Sequence, residues 1–306
     1  MGGLLGWAYR QRCCPPQPLP ADIRLDGKTA IVTGGNVGLG LEAAKQLAAH
    51  GLSRVILGVR TPAKGEAAKE EIIRDSPGCD VQVWALDYES FESMRAFSER
   101  AATLDRLDMV ILSAGLKFIE FIQSRTGHEM HVQVRPTPNP SQVNHLGTSL
   151  LSLLLLHPLQ HTARATGTPS RLTIVTSEVH FWTPFKEKDA SNTLSRMNEP
   201  DSFNPGITRY NTSKLLNMLW LRELSGKAGP DVVVNGVNPG LCLSAFHRSD
   251  TGFGQRMVNK VLAWTSEQGG HCLVDAAVRH PEDRGAYLSE QVVTESVFFF
   301  PLWWWV

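Results

Sequence analysis

Short apolar segments alternate along the chain with longer amphipathic ones. The short segments are rich in β-branched residues, as expected of buried strands, and they lie near residues 28–33, 54–59, 81–86, 107–112, 171–176 and 231–236. Segments with apolar residues at helical spacing lie near residues 38–50, 62–75, 90–102, 127–157, 209–225 and 266–279. This alternation predicts a single α/β domain whose mainly parallel sheet is covered by helices on both faces.

A glycine-rich turn joins the first predicted strand to the first predicted helix. Its glycines, Gly34, Gly38 and Gly40, have the spacing GxxxGxG. Glycine lets the backbone approach a pyrophosphate closely, and the N-terminus of the following helix offers N–H groups and a positive dipole end. This order predicts a dinucleotide site, with the candidate contacts Thr33, Gly34, Asn36, Val37, Gly38, Leu39 and Gly40.

Tyr210 and Lys214 lie four residues apart in a predicted helix, so their side chains share one face. An ammonium group beside a phenol favours the phenolate and lowers the pKa of the tyrosine. The pair could then give or take a proton near neutral pH. A lone YxxxK pattern is common by chance, but here it follows the glycine turn, an asparagine and a serine.

With these motifs in this order, the chain resembles the short-chain dehydrogenase/reductase family in its single-domain form. The resemblance covers roughly residues 25–290, and it is closest to the retinol dehydrogenase and WW-domain oxidoreductase group and to relatives in fungal natural-product pathways. The closer match is carried by residues 60–66, Gly147, residues 210–217 and residues 238–242. The family implies a Rossmann-type, doubly wound sheet and an oxidoreductase that uses NAD or NADP.

The resemblance implies a catalytic role for four residues. Ser177 would hydrogen-bond a substrate carbonyl, and Tyr210 would exchange a proton with the same oxygen. Lys214 would lower the pKa of Tyr210 and bind the nicotinamide ribose, while Asn144 would hold a water that links Lys214 to solvent. Taken without the other three residues, Ser177 reads equally well as a cap at the end of its strand.

Arg60 follows the second predicted strand, where folds of this kind meet the adenosine ribose. An acidic residue there would bind the free 2′-hydroxyl of NAD, whereas an arginine suits the 2′-phosphate of NADP. Val59, not an aspartate, ends the strand. The sequence therefore favours NADP(H) over NAD(H), although Arg60 could also be a solvated charge beside a helix.

The family resemblance places further cofactor contacts at the ends of the later strands, at Asp87, Ala114, Gly115, Tyr210, Lys214, Pro239, Gly240 and Ser244. Asp87 would lie against the adenine edge, and its alternative is a turn or cap aspartate. Ser113 departs from the family, which usually has asparagine before Ala-Gly. Together these positions would trace one crevice at the carboxyl ends of the strands.

Composition excludes several classes of partner. The 306 residues are 42% apolar, and thirty acidic side chains balance thirty basic ones, so no nucleic-acid partner is expected. Five cysteines without a disulfide or CxxC pattern suggest a reducing, cytoplasmic location. No apolar run reaches the roughly 20 residues that span a bilayer. His128 and His131 do not form HExxH, so no metal site is expected.

Two segments depart from the family pattern. Residues 135–143 contain three prolines inside what should be a helix, where a proline costs about 3 kcal/mol. We interpret them as an insertion that could disturb Asn144. Residues 297–306 are almost wholly apolar, so we treat residues 291–306 as an atypical tail. Residues 1–24 are rich in proline and predict a flexible arm before a catalytic domain at residues 25–290.

The leading hypothesis is an NADP-dependent oxidoreductase of secondary-metabolite biosynthesis that interconverts a carbonyl and a secondary or primary alcohol on an apolar small molecule. The aromatic residues at 180–185 could line an apolar pocket or could pack as a lid. The alternative hypothesis is a protein that binds the cofactor but is catalytically impaired by the insertion and the altered C-terminus. Glycine spacing disfavours an epimerase or dehydratase. A homodimer or homotetramer is common in the family.

Overall fold

One sheet of eight strands organises the described part of the chain. The computed structural model describes residues 4–115, 144–203, 208–243 and 253–295. Its strands are β1 (Thr29–Thr33), β2 (Arg54–Val59), β3 (Asp80–Ala85), β4 (Met109–Leu112), β5 (Ser170–Val175), β6 (Val232–Asn238), β7 (Tyr287–Ser289) and β8 (Val292–Thr294). The order across the sheet is β3-β2-β1-β4-β5-β6-β7-β8, and only the β7–β8 pair among them is antiparallel.

Helices connect the strands. They are α1 (Leu4–Cys13), α2 (Gly38–Ala49), α3 (Pro62–Asp75), α4 (Phe91–Ala101), α5 (Leu146–Leu154), α6 (Leu156–Thr166), α7 (Thr193–Met197), α8 (Thr208–Lys227), α9 (Phe253–Leu262) and α10 (Ser266–Val278). Short 3-10 helices at Glu178–Trp182, Lys186–Asp189 and Pro200–Ser202 lie between β5 and α8. The predicted Rossmann-type, doubly wound α/β fold is confirmed.

Alternate side chains of the central strands enter two cores, one on each face of the sheet. Ile31 packs in the cluster that includes Leu172 and Met218, on the side of α4, α5 and α8. Its neighbour Val32 packs in the other cluster, with Leu47 of α2 and helix α10. Burial on both faces explains why the strands are apolar throughout rather than alternating.

The strand order reverses between β1 and β4, because the chain moves outward from β1 to β3 and then crosses back. In open parallel sheets this reversal leaves a crevice at the carboxyl ends of the strands, where ligands bind. The glycine turn follows β1, and residues 113–115 follow β4. The fold thus brings the two segments to one crevice.

Local pattern did not reveal all of the elements. Residues 4–13 form α1 within the segment that we expected to be a flexible arm, and β8 lies within the predicted tail. Strands β7 and β8 have three residues each, too few to show periodicity. Where one helix was predicted up to residue 157, α5 ends at Leu154 and α6 begins at Leu156.

Several expectations fall on residues outside the described ranges. These are the proposed insertion at 135–143, the apolar segment 297–306, His128 and His131, and Ser244. The proposed boundaries of the arm, the catalytic domain and the tail remain predictions. Among the described residues, no helix has both the length and the apolar character needed to cross a membrane.

Candidate active site

The glycine turn is packed too tightly for larger residues. A Cβ atom added to Gly40, the third glycine, would lie 2.6 Å from the carbonyl oxygen of Gly34. The first turn of α2 therefore sits directly on the loop after β1. Val37, the residue before α2, has no side-chain hydrogen bond that caps the N–H groups of the first helical turn. Leu39 packs against α10, beside Gly269.

Thr33 ties the end of β1 to the end of β4. Its Oγ1 accepts hydrogen bonds from the hydroxyl of Tyr88 at 2.8 Å and from the backbone N–H groups of Ser113 and Ala114 at 3.2 and 3.3 Å. Burial raises the pKa of Tyr88 above its ordinary value, so its hydroxyl remains a donor. We expected Thr33 to contact the cofactor, and nothing in the local sequence pointed to Tyr88.

A shallow cleft that is open to solvent lies beside these strand ends. Five predicted cofactor residues line it, namely Gly34, Asn36, Arg60, Asp87 and Ala114. Gly58, Val59, Leu86 and Tyr88, which were not predicted, complete the lining. The predicted contacts come from four separate segments of the sequence, and the fold collects them at one end of the crevice.

Arg60 and Asp87 belong to one small polar network in this cleft. Arg60 Nη1 lies 3.3 Å from Oε1 of Glu89, whose side chain is 7% exposed. Asp87 Oδ1 accepts a hydrogen bond from the backbone N–H of Glu89 at 2.9 Å, and its own N–H donates to Ser93 Oγ. Arg60 is therefore not simply a solvated charge, and Asp87 both shapes the turn before α4 and lines the cleft.

Ser177, Tyr210 and Lys214 meet at the carboxyl end of β5. Ser177 follows β5 and hydrogen-bonds the side chain of Tyr210, which is 8% exposed. Lys214 Nζ donates to the carbonyl of Val175 at 2.9 Å and lies 5.7 Å from the centroid of the Tyr210 ring. The predicted grouping of a serine hydroxyl, a phenol and an ammonium thus exists in the fold.

Burial dominates the electrostatics of Tyr210 and Lys214. Burial raises the pKa of Tyr210 above its ordinary value, and the hydrogen bond with Ser177 offsets only part of this. Burial also lowers the pKa of Lys214 to about 8. We predicted that Lys214 would lower the pKa of Tyr210; desolvation raises it instead, and the hydrogen bond with Ser177 is what acts in the lowering direction. Tyr210 is accordingly a protonated donor at neutral pH.

Asn144 lies beside Lys214. A Cβ atom on Gly115 would come within 3.2 Å of Asn144 Oδ1 and 3.7 Å of Lys214 Nζ, so Gly115 leaves room where the two side chains approach. Asn144 Nδ2 donates to Ser213 Oγ at 3.3 Å, and its carbonyl accepts from Asn217 Nδ2 at 2.7 Å. Helix α8 therefore holds both the side chain and the backbone of Asn144, while the effect expected of residues 135–143 on Asn144 stays a prediction.

The segment after β6 forms the far end of the crevice. Pro239 and Gly240 follow this strand, as the candidate nicotinamide contacts require. Gly240 lies under Gln11 and Trp264, since a Cβ atom there would be 2.4 Å from Gln11 Oε1 and 2.5 Å from Trp264 Cζ3. Sequence reasoning missed Gln11 because only the fold brings α1 to this loop.

Comparison with known proteins gives the family. A profile described as short chain dehydrogenase matches residues 28–167. The protein named short chain dehydrogenase sol3, from Alternaria solani, is 64% identical over 291 residues, which are 95% of this chain and 99% of that protein. The chain belongs to the short-chain dehydrogenase family. Another member, fogG from Aspergillus ruber, is 39% identical over 78% of this chain and 68% of its own length.

Solved structures agree on the short-chain dehydrogenase fold. A short chain dehydrogenase from Shigella flexneri is 20% identical and superposes with a TM-score of 0.62 over 92% of this chain and 98% of that one. A structure from Escherichia coli CFT073, complexed with NADPH, is 21% identical with a TM-score of 0.63 over 89% of this chain and 100% of that one. At these identities the likeness concerns the fold alone.

Proposed function

We propose that this short-chain dehydrogenase is an NADP-dependent oxidoreductase that interconverts a carbonyl and a secondary or primary alcohol. The observation that carries the proposal is the convergence of Ser177, Tyr210 and Lys214 at the end of β5. The lining of the neighbouring cleft supports a nucleotide site, because Gly34 and Asn36 of the glycine turn meet Ala114 there. Residues 33–40, Ala114, Gly115, Pro239 and Gly240 would hold it.

Each proposed catalytic residue has a distinct role. The cofactor supplies the hydride when bound. The hydroxyls of Ser177 and Tyr210 bind the substrate oxygen, and Tyr210 gives it a proton during reduction. The raised pKa of Tyr210 keeps the phenol protonated, which is the form that donates. Lys214 would bind the nicotinamide ribose, and Asn144, which approaches Gly115 beside Lys214, would hold the water that links Lys214 to solvent.

The preference for NADP rests on Arg60. Its guanidinium lines the cleft, where Nη1 lies 3.3 Å from Glu89 Oε1, and a guanidinium group is the side chain best suited to bidentate binding of phosphate. The NADPH complex of the Escherichia coli neighbour is consistent with this choice. We propose an apolar substrate, because Phe181 and Trp182 after Ser177 are 39% and 42% exposed, and a role in secondary metabolism from the resemblance to fungal relatives.

A titration of the purified chain tests both parts of the proposal. We expect oxidation of NADPH with at least one member of a panel of apolar ketones and aldehydes, and a slower reaction with NADH. Binding of NADPH without turnover of any panel member would instead support the alternative, a cofactor-binding protein that is catalytically impaired. No observation on the described residues favours that alternative.

The Arg60→Gln variant tests the cofactor preference. Loss of a charge-assisted contact costs about 1.5–3 kcal/mol, so the Kd of NADPH should rise by about tenfold or more while that of NADH stays nearly constant. Lys64→Gln, at an exposed position on α3, is the matched control for removing one positive charge. Equal weakening of NADPH and NADH by Arg60→Gln would show that Arg60 does not read the 2′-phosphate.

A further inference from the structure

Helix α1 is fastened to the loop after β6 by one buried amide. Gln11 is 2% exposed. Its Nε2 donates to the carbonyls of Leu241 and Leu262 at 3.1 and 3.0 Å, and its Oε1 accepts from the N–H of Leu241 at 2.9 Å. Its backbone carbonyl accepts from Trp264 Nε1 at 2.7 Å. Every hydrogen of this amide is used, so α1 is held against the segment that follows Gly240.

The preceding residue fastens α1 to the turn after Ser177. Arg10 Nη2 lies 2.6 Å from Glu178 Oε1, and Arg10 Nε lies 2.7 Å from Glu290 Oε2. Both carboxylates are largely buried, with side chains 14% and 3% exposed. Leaving either one unpaired would be costly. The guanidinium therefore joins α1, the 3-10 helix Glu178–Trp182 and the loop between β7 and β8.

An aromatic contact lies one helical turn before these polar ties. Trp7 meets Trp182 edge to face, with ring centroids 6.4 Å apart and an interplanar angle of 83°. Trp182 ends the 3-10 helix that begins directly after Ser177. The adjacent Thr183 Oγ1 hydrogen-bonds Thr212 Oγ1 on α8 at 2.7 Å, two residues after Tyr210. This places the Trp7–Trp182 pair next to the segments that carry the proposed catalytic hydroxyls.

We propose that α1 forms one wall of the substrate site and determines specificity, with Trp7 and Trp182 presenting apolar ring surface to an apolar, aromatic-sized carbonyl substrate. Arg10 and Gln11 are positioning residues that set this wall against the loops at 178–182 and 240–241. The inference deepens the proposed function and rests on it for the identity of the reacting group. It does not depend on the nucleotide, because α1 makes its contacts beyond the cleft lined by Arg60 and Asp87.

The test compares Trp7→Ala with Tyr9→Ala, a control at a 58% exposed position of the same helix. The probe is 2-acetylnaphthalene, an apolar aryl ketone, and its equilibrium Kd is measured in the presence of saturating NADP. Removing the indole removes both its buried apolar area and its aromatic contact with the probe, so Trp7→Ala should weaken probe binding by about tenfold. Tyr9→Ala should change it by less than about twofold, and the Kd of NADPH should not change in either variant.

Arg10→Gln tests the positioning part. It should also weaken the probe, Arg10→Lys should restore part of the affinity, and Arg12→Gln, at an exposed position nearby, should have no effect. A purely structural role would lower the thermal midpoint and the NADPH affinity together, so both are measured for every variant. Trp7→Phe, which keeps an aromatic ring, serves if Trp7→Ala does not fold.

The outcomes separate this inference from the proposed function. If the wild-type chain does not bind the aryl ketone, or if Trp7→Ala and Trp7→Phe both bind it as the wild type does, the wall proposal is wrong. If Trp7→Ala weakens binding of the ketone but no carbonyl of the panel oxidises NADPH, the oxidoreductase proposal is wrong and the proposal that α1 lines the site is supported. Loss of binding in Trp7→Ala with unchanged NADPH affinity supports the wall.

Discussion

Burial sets the protonation states of Tyr210 and Lys214. Tyr210 and Lys214 lie four residues apart, so helical spacing places them on one face. From the sequence alone, the ammonium group is therefore expected to dominate the pKa of the phenol. The sequence could predict this spacing and not the extent of desolvation, which depends on how β5, Gly115 and Asn144 enclose the pair. The resulting neutral phenol favours proton donation.

Lys214→Met tests the buried charge. Burial lowers the pKa of Lys214 from 10.5 to about 8, so between these values the unfolded chain binds more protons than the folded one. The stability of the wild type should then rise with pH in this window, whereas below pH 8 both states are protonated and the cost of burying the charge is constant. We expect the free energy of unfolding, wild type minus variant, to increase by up to about 1.4 kcal/mol per pH unit.

Urea unfolding of both proteins between pH 8 and 10.5 measures this difference. The loss of the hydrogen bond from Nζ to Val175 shifts the whole difference by a constant and leaves the slope unchanged. A difference that stays flat across the window would show that Lys214 is not desolvated in the folded chain.

Asn217 illustrates a site residue that the sequence named only through the family match. Its Nδ2 donates to the carbonyl of Asn144 at 2.7 Å, and its Oδ1 lies 2.9 Å from Nδ1 of His145. Asn217→Ala should lower the free energy of unfolding by about 1–3 kcal/mol, because a buried carbonyl loses its partner, and should reduce kcat more than it raises KM. Glu223→Ala, an exposed position on α8 with a side chain 62% exposed, is the control, and equal effects of the two changes would contradict the assignment.

At the scale of elements, strands and helices in the doubly wound core follow from pattern alone. Helix α3 has the predicted bounds, and β2 does too, because apolar periodicity and a first-turn proline mark them locally. Helix α1 was not expected to pack, because residues 4–13 carry no strong amphipathic pattern. In the structure, Arg10 and Gln11 hold the helix through contacts with residues more than 160 positions away. The sequence of residues 4–13 gives no indication of these distant partners.

Gly40→Ala tests the turn that opens α2. The added Cβ would lie 2.6 Å from the carbonyl oxygen of Gly34, which forces the backbone to shift and costs about 1–3 kcal/mol of stability. The same shift should weaken NADPH binding by about tenfold or more. Gly78→Ala is the matched control, because nothing lies within 4 Å of a Cβ there. Isothermal titration measures the Kd of NADPH for both variants. An unchanged Kd in Gly40→Ala would show that the turn is not part of the nucleotide site.

At the scale of the whole molecule, one sheet connects the nucleotide cleft with the Ser177 site. The cores on its two faces share every central strand, so we expect the described domain to unfold in one cooperative transition. A nucleotide that binds only the folded chain adds about 2.7 kcal/mol at a concentration of 100 Kd. Thermal unfolding with and without NADPH should show a single transition that moves upward, and a second transition that ignores NADPH would reveal an independent unit.

The sequence also predicted how distant segments converge. Arg60 was assigned to the crevice from its place after the second predicted strand, and Asp87 and Ala114 were assigned from the family resemblance. All three line one cleft. Tyr88 and Glu89, which complete the polar network there, carried no signal because their roles arise from the packing of the loop after β3 against β1 and β2.

The most direct measurement compares turnover and nucleotide binding in Tyr210→Phe. The variant keeps the ring and removes the hydroxyl that hydrogen-bonds Ser177. With the best carbonyl of the panel, loss of a positioned acid should lower kcat by about 10²–10⁴-fold, while the Kd of NADPH stays within about twofold of the wild type. A Tyr210→Phe chain that reduces the carbonyl at the wild-type rate would contradict the proposed chemistry.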